Sequence, residues 1–160
     1  MDKFKNILDL LKVHDNYVID PERKSKEDLL DAISLTESSG GRNTNHEVID
    51  HGIHAGDRAV GNYGLMPKTV QEILKTNPEI RKTNPAANFI EALEKDPTLQ
   101  RRIAAAYYER LRDNVGNDPA GIAYGWLNGI TGAKKAKKRG DDLKEHWHVK
   151  KVLKNLKDVE

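Results

Sequence analysis

One carboxylate stands out in this 160-residue chain by where its spacing puts it. The stretch Ser25 to Gly41 reads as a helix, with Ser25 as N-cap, Asp28 three residues on as in a capping box, and Glu27 and Asp28 at the positive end of the dipole. Leu30, Ile33 and Glu37 follow at steps of three and four. Glu37 therefore projects from the face that Leu30 and Ile33 bury, just before Gly40 and Gly41 stop the helix. Apolar neighbours and the negative end of the dipole both penalise the ionised form, and the raised pKa this predicts suits a general acid working near neutrality. The alternative is a glutamate facing water at the end of an ordinary helix.

Other residues able to do chemistry lie downstream. The run after Gly41 has no helical period, so 42–60 is expected to be a long loop or a small β-hairpin beside Glu37. Its Glu47, Asp50 and Asp57 and its His46, His51 and His54 lack the spacing of a zinc site on a helix, so no metal and no cofactor is expected. Gly61 and Gly64 let the backbone turn tightly around Tyr63, which could bring amides and an aromatic ring to a ligand; the plain alternative is a loop-to-helix junction. Tyr124 and Trp126, in the apolar segment AGIAYGWLNG, are either core residues or a sugar platform with a hydroxyl near a reacting centre.

The elements that must position these residues read as helices. Hydrophobic residues make up 37% and charged residues 32%, and the apolar ones recur at helical spacing, which predicts a mainly α single domain over 1–160. Phe4, Ile7, Leu8 and Leu11 predict an N-terminal packing helix within 1–20, broken by Asp20-Pro21-Glu22. Lys68 to Lys75 is expected to turn Val70, Ile73 and Leu74 inward, and Pro85 to Glu94 to form another helix. A longer one starts at Asp96-Pro97 and runs through Leu111, with only one of Tyr107 and Tyr108 facing the core squarely. Asp118-Pro119 opens the next, closed by Gly129, and KKAKKRG reads as a solvated charge run. In the final helix Val149, Val152, Leu153 and Leu156 dock, leaving Lys150, Lys151, Lys154 and Lys157 outward.

Without cysteine, disulfides, thiolate metal sites and thiol nucleophiles are excluded. No segment has the pattern of a signal peptide or a bilayer span, so synthesis in the cytoplasm without membrane insertion is expected. From Lys134 to Glu160 there are ten basic and five acidic residues, a basic C-terminal segment over 134–160 that favours an anionic surface. No stacking aromatics interleave with Lys134 to Arg139, so nucleic acid is not the expected partner.

Three separated segments, ESSGG at Glu37, GNYGLMP from Gly61 and AYGWLNGITGA from Ala123, together resemble the ordered motifs of soluble lytic transglycosylases and goose-type lysozymes. HWHVKKVL, His146 to Leu153, is similar to the segment that follows them, so the resemblance covers about Ser25 to Leu153. It implies a lysozyme-like helical fold with a groove for peptidoglycan glycan strands. It also implies Glu37 as catalytic acid/base, cleaving the β-1,4 bond between N-acetylmuramic acid and N-acetylglucosamine to leave 1,6-anhydromuramoyl ends. Substrate contacts would come from Ser38, Tyr63, Gly64, Leu65, Met66, Tyr124, Trp126 and Asn128. One carboxylate suffices there because the substrate supplies the nucleophile.

Two departures stand against the family pattern. Pro67 replaces the glutamine that follows Gly-Leu-Met, removing a side-chain donor and an N–H. The family tyrosine of Ala-Tyr-Asn-Ala-Gly aligns with Trp126 if Gly129 is matched, or with Tyr124 if Ala-Tyr is kept. Two other readings stay open: a hydrolytic goose-type muramidase with an acid of the 47–57 loop, Glu47, Asp50 or Asp57, orienting water, and a non-catalytic glycan-binding or structural module. The missing export signal and the basic end fit a lysin of viral origin, released by a pore-forming partner or carried in a virion, that acts on the cell wall.

Overall fold

The computed structural model describes residues 20–52 and 54–160, so the expected N-terminal packing helix with Phe4, Ile7, Leu8 and Leu11 lies outside them. The described chain is mainly α. Its helices are α1 (Pro21–Ser38), α2 (Pro67–Thr76), α3 (Pro78–Thr83), α4 (Phe89–Lys95), α5 (Pro97–Val115), α6 (Pro119–Arg139) and α7 (Trp147–Val159), with a short 3₁₀ turn at Leu143–Glu145. Among the described residues there is no strand, and 42–60 is a long loop pinned by an isolated antiparallel bridge between Val48 and Arg58. None of the described helices is long and apolar enough to cross a membrane.

The three long central helices begin the same way. Asp20, Asp96 and Asp118 each cap a helix whose first residue is proline, their carboxylates accepting the N–H of Glu22, of Leu99, and of Ala120 and Gly121. Asp20-Pro21-Glu22 therefore opens α1, with Asp20 and not Ser25 as its N-cap. Ser25 and Asp28 lie one turn inside the helix, where Asp28 pairs with Lys24 at 2.8 Å.

Two other expectations change. Pro85 to Glu94 is not one helix: Asn84-Pro85 ends α3, because a residue before proline is held out of the α region, and α4 starts afresh where Asn88 accepts the Glu91 N–H. The helical backbone opened at Asp118-Pro119 is interrupted at Gly129 (φ 79°, ψ 167°), as expected; beyond this kink a second helical stretch of α6 runs to a left-handed Gly140, with Ala133 and, within the lysine-rich run, Ala136 buried. Tyr107 and Tyr108 are both buried. Neighbouring helical residues point about 100° apart, and α5 is covered on two sides. Tyr107 packs on Trp126 of α6 with ring centroids 4.7 Å apart, and Lys26 of α1 lies over Tyr108.

The core draws on every helix, with Leu29, Leu30 and Ile33 of α1, Val70 and Ile73 of α2, Ile103 and Leu111 of α5 and Ile122 of α6 almost inaccessible. Helix α7 lies along α1, burying Val149 and Val152 and partly Leu153 and Leu156, while Lys150, Lys151, Lys154 and Lys157 stay exposed. Asn155 donates to the Thr36 hydroxyl at 2.9 Å, tying the two helices one residue from Glu37.

Candidate active site

Glu37 sits in the last turn of α1, on the face that carries Leu30 and Ile33, and its side chain keeps only 19% of its accessible surface. Burial pushes its carboxyl up to about 7, against a smaller opposing pull from the Lys151 ammonium. Two elements enclose it. The Oε1 atom lies 3.5 Å from Nε2 of His148, in the first turn of α7. Oε2 lies against the α-carbon of Gly64, where an added Cβ would come within 2.5 Å of it.

His148 is buried, its side chain keeping 3% of its accessible surface, and its Nε2 has no hydrogen-bond partner. Burial, then His146 and Lys151, push its imidazole down to about 4. The contact with Glu37 has the spacing of an ion pair, yet between about pH 4 and 7 both groups are neutral. The pair is thus a carboxylic acid beside a neutral imidazole, in a setting that keeps the proton on the acid.

The turn that closes on Glu37 is built from three directions. Val60 and Leu65 exchange backbone hydrogen bonds of 2.8 and 3.1 Å across Gly61–Gly64, and both glycines have positive φ (72° and 60°). From α5, Gln100 Oε1 accepts the Asn62 N–H at 2.9 Å while its amide nitrogen donates to the Leu93 carbonyl at 2.8 Å. From α6, the Trp126 indole N–H donates to the Tyr63 carbonyl at 2.9 Å. From α1, the Ser38 hydroxyl lies 2.7 Å from the Asn62 carbonyl and accepts the Gly41 N–H at 2.9 Å.

Several sequence-predicted contacts therefore stand behind the site. Ser38, Tyr63, Leu65 and Trp126 are buried. The Tyr63 hydroxyl accepts from Arg101, which is also bound by Glu27 and Asp31 of α1. Trp126 is the core member of the Tyr124/Trp126 pair, fixing the turn through its N–H. Tyr124 is half-buried, with its ring edge-on to His146 at 5.2 Å.

Gly64 and Met66 line a narrow neck that shares His54, Thr69, Tyr107 and Gly129 with a larger cavity of about 410 Å³. Asn128 and Arg110 line that cavity; Glu37 lines neither space and meets the neck only through Gly64. Pro67 occupies the first position of α2, where no helical partner exists for an N–H, so its backbone costs nothing there.

The loop acids lie apart. The Asp50 side chain is 90% exposed and pairs with His51 at 2.5 Å, and Asp57 lies 4.0 Å from Lys68 at the start of α2. Neither makes a contact with Glu37 among the described residues. Nor, among those residues, do three His, Asp or Glu side chains converge as a metal site would need.

Sequence reasoning gave no role to Gln100 or His148. Gln100 was detectable as the polar member of an otherwise apolar stripe with Ile103, Tyr107 and Leu111, and His148 as the residue one turn ahead of Val152. Compared with protein families, with characterised proteins and with solved structures, the chain gives no significant match.

Proposed function

We propose that this protein is a peptidoglycan lytic transglycosylase with a lysozyme-like arrangement, in which Glu37 is the general acid and then the general base. The observation that carries the reading is a single enclosed carboxyl, raised to about 7 by burial, with no second acid in contact with it among the described residues. Protonated Glu37 gives its proton to the glycosidic oxygen as the bond from that oxygen to the muramoyl C1 breaks. The resulting carboxylate takes the proton of the muramoyl 6-hydroxyl as O6 attacks C1. The products are an N-acetylglucosamine 4-hydroxyl and a 1,6-anhydro ring, and Glu37 ends protonated as it began. Hydrolysis would need a second group to orient water, and Asp50 and Asp57 are engaged elsewhere, with His51 and Lys68. The basic face of α7 supports attraction to an anionic wall.

Digestion of purified peptidoglycan by wild type and Glu37→Gln, with products read by mass spectrometry, tests the reading. Anhydro-muropeptides from wild type and a loss of at least about a thousandfold in Glu37→Gln are expected. Reducing ends would make it a hydrolase. Glycan binding with no product from folded wild type would make it a binding module.

A further inference from the structure

Trp147 opens α7 with 67% of its surface exposed, an unusual position for the chain's largest apolar side chain. It is not a loose surface group. Its ring stacks on His146 with centroids 5.6 Å apart and planes at 28°, and meets the buried His148 ring edge-on at 5.6 Å. His146 is in turn held by the edge of Tyr124 and, as the N-cap of α7, accepts the His148 N–H through its ring nitrogen. Two imidazole rings, one of them held in turn by Tyr124, thus brace the exposed indole. The indole is one residue removed from Glu37: the buried His148 touches Trp147 on one side and lies 3.5 Å from the Glu37 carboxyl on the other.

Lys151 stands four residues beyond Trp147, on the same side of α7, and lies close enough to Glu37 and His148 to act on both electrostatically. It is exposed and has no ion-pair partner among the described residues. The neighbouring cation, Lys150, is bound by Glu145 at 3.1 Å.

We propose that Trp147 and Lys151 form a glycan subsite beside Glu37, in which the apolar face of an N-acetylhexosamine ring stacks on the indole and Lys151 meets a carboxylate carried by the muramoyl substituent. This rests on the peptidoglycan reading above. The rigid backing favours a flat ligand face over a flexible protein or lipid partner, since a braced ring loses little freedom on binding and a pyranose presents a C–H face of matching size. The charge next to it selects an acidic glycan over a neutral one.

The chain has two tryptophans, and Trp126 is buried, so acrylamide quenching reports Trp147 almost alone. Titrating full-length Glu37→Gln with tetra-N-acetylchitotetraose is expected to blue-shift the emission and protect it from acrylamide. Adding Trp147→Ala should weaken binding of that probe, followed calorimetrically, by about tenfold. With Glu37 intact, Trp147→Ala should raise KM on peptidoglycan by a similar factor and leave kcat unchanged; an exposed side chain is removed, so the fold is retained. Lys151→Gln should weaken binding of soluble muropeptides and leave binding of the uncharged probe unchanged. An indole that stays open to acrylamide at saturating glycan, with an unchanged KM in Trp147→Ala, overturns the subsite even if wild type cleaves peptidoglycan. Protection of Trp147 in a protein that releases no product upholds the subsite and removes the enzymatic reading instead.

Discussion

Enclosure of Glu37 by His148 and Gly64 decides what the carboxyl can do and what it costs the fold. A carboxyl raised from 4.5 to about 7 binds its proton more tightly in the native state than in the unfolded chain. Its contribution to stability is therefore full below about pH 4.5 and is lost as the pH rises through about 7. Glu37→Gln, which is neutral throughout, should be the more stable protein above pH 7, by up to about 3 kcal/mol, and the advantage should vanish near pH 4.5. Denaturant melts of both proteins at pH 5 and pH 8 check this, and an equal difference at the two values would refute it. His148 has the opposite sign. Lowered from 6.5 to about 4, its imidazole favours the native state above pH 6.5, and that contribution fades as the pH falls through 4. Under the proposed mechanism, the same titration of Glu37 should give activity a falling limb near pH 7, where the acid form disappears, read from a pH–rate profile on peptidoglycan.

The turn at Gly61–Gly64 is the element on which the site depends, and its conformation is imposed from outside. Each glycine lies where a side chain would collide: a Cβ on Gly61 would come within 2.4 Å of the Gln100 amide, and one on Gly64 would meet the Glu37 carboxylate. Gly64→Ala should displace the carboxyl and lower kcat by about a hundredfold, the scale for displacing a reacting group by an ångström, with a smaller loss of stability from the positive φ. Steady-state assays beside thermal melts separate the two effects. Gln100→Ala leaves the Asn62 N–H without its partner, takes from the Leu93 carbonyl one of two donors, the Asp96 N–H remaining, and opens a cavity at a buried position, so it should cost about 2–3 kcal/mol in a urea melt. Gln100→Glu keeps the acceptor but loses the donor, so it should recover only part of that loss.

At the scale of the molecule, the packing of α7 on α1 is what turns a helix-end glutamate into an enclosed one. Val149→Ala should cost about 2 kcal/mol and, by loosening α7, admit water to Glu37. The falling limb of the pH–rate profile should then move below its wild-type position, whereas a purely global loss of stability would leave it in place. The facing of Glu37 was legible in the chain because three residues at helical spacing share one side whatever lies opposite, and Leu30 and Ile33 are fully buried as that spacing requires. The starts of α5 and α6 were legible for a similar reason, since Asp-Pro acts through its own backbone and carboxylate. The same rule applied at Asp20-Pro21 was overlooked in favour of Ser25. Local pattern could not tell that both Tyr107 and Tyr108 are buried, because that depends on two helices covering α5. Nor could it tell that Trp126 and Ser38 hold the turn from behind, since their partners, the carbonyls of Tyr63 and Asn62, lie 63 and 24 residues away. The sequence by itself determined the helical periods, the Asp-Pro starts of α5 and α6 and the residue at the end of α1. Tertiary structure alone decided that His148, 111 residues later in the numbering, would close over that residue, because desolvation and contact depend on what folds against a side chain and not on what flanks it.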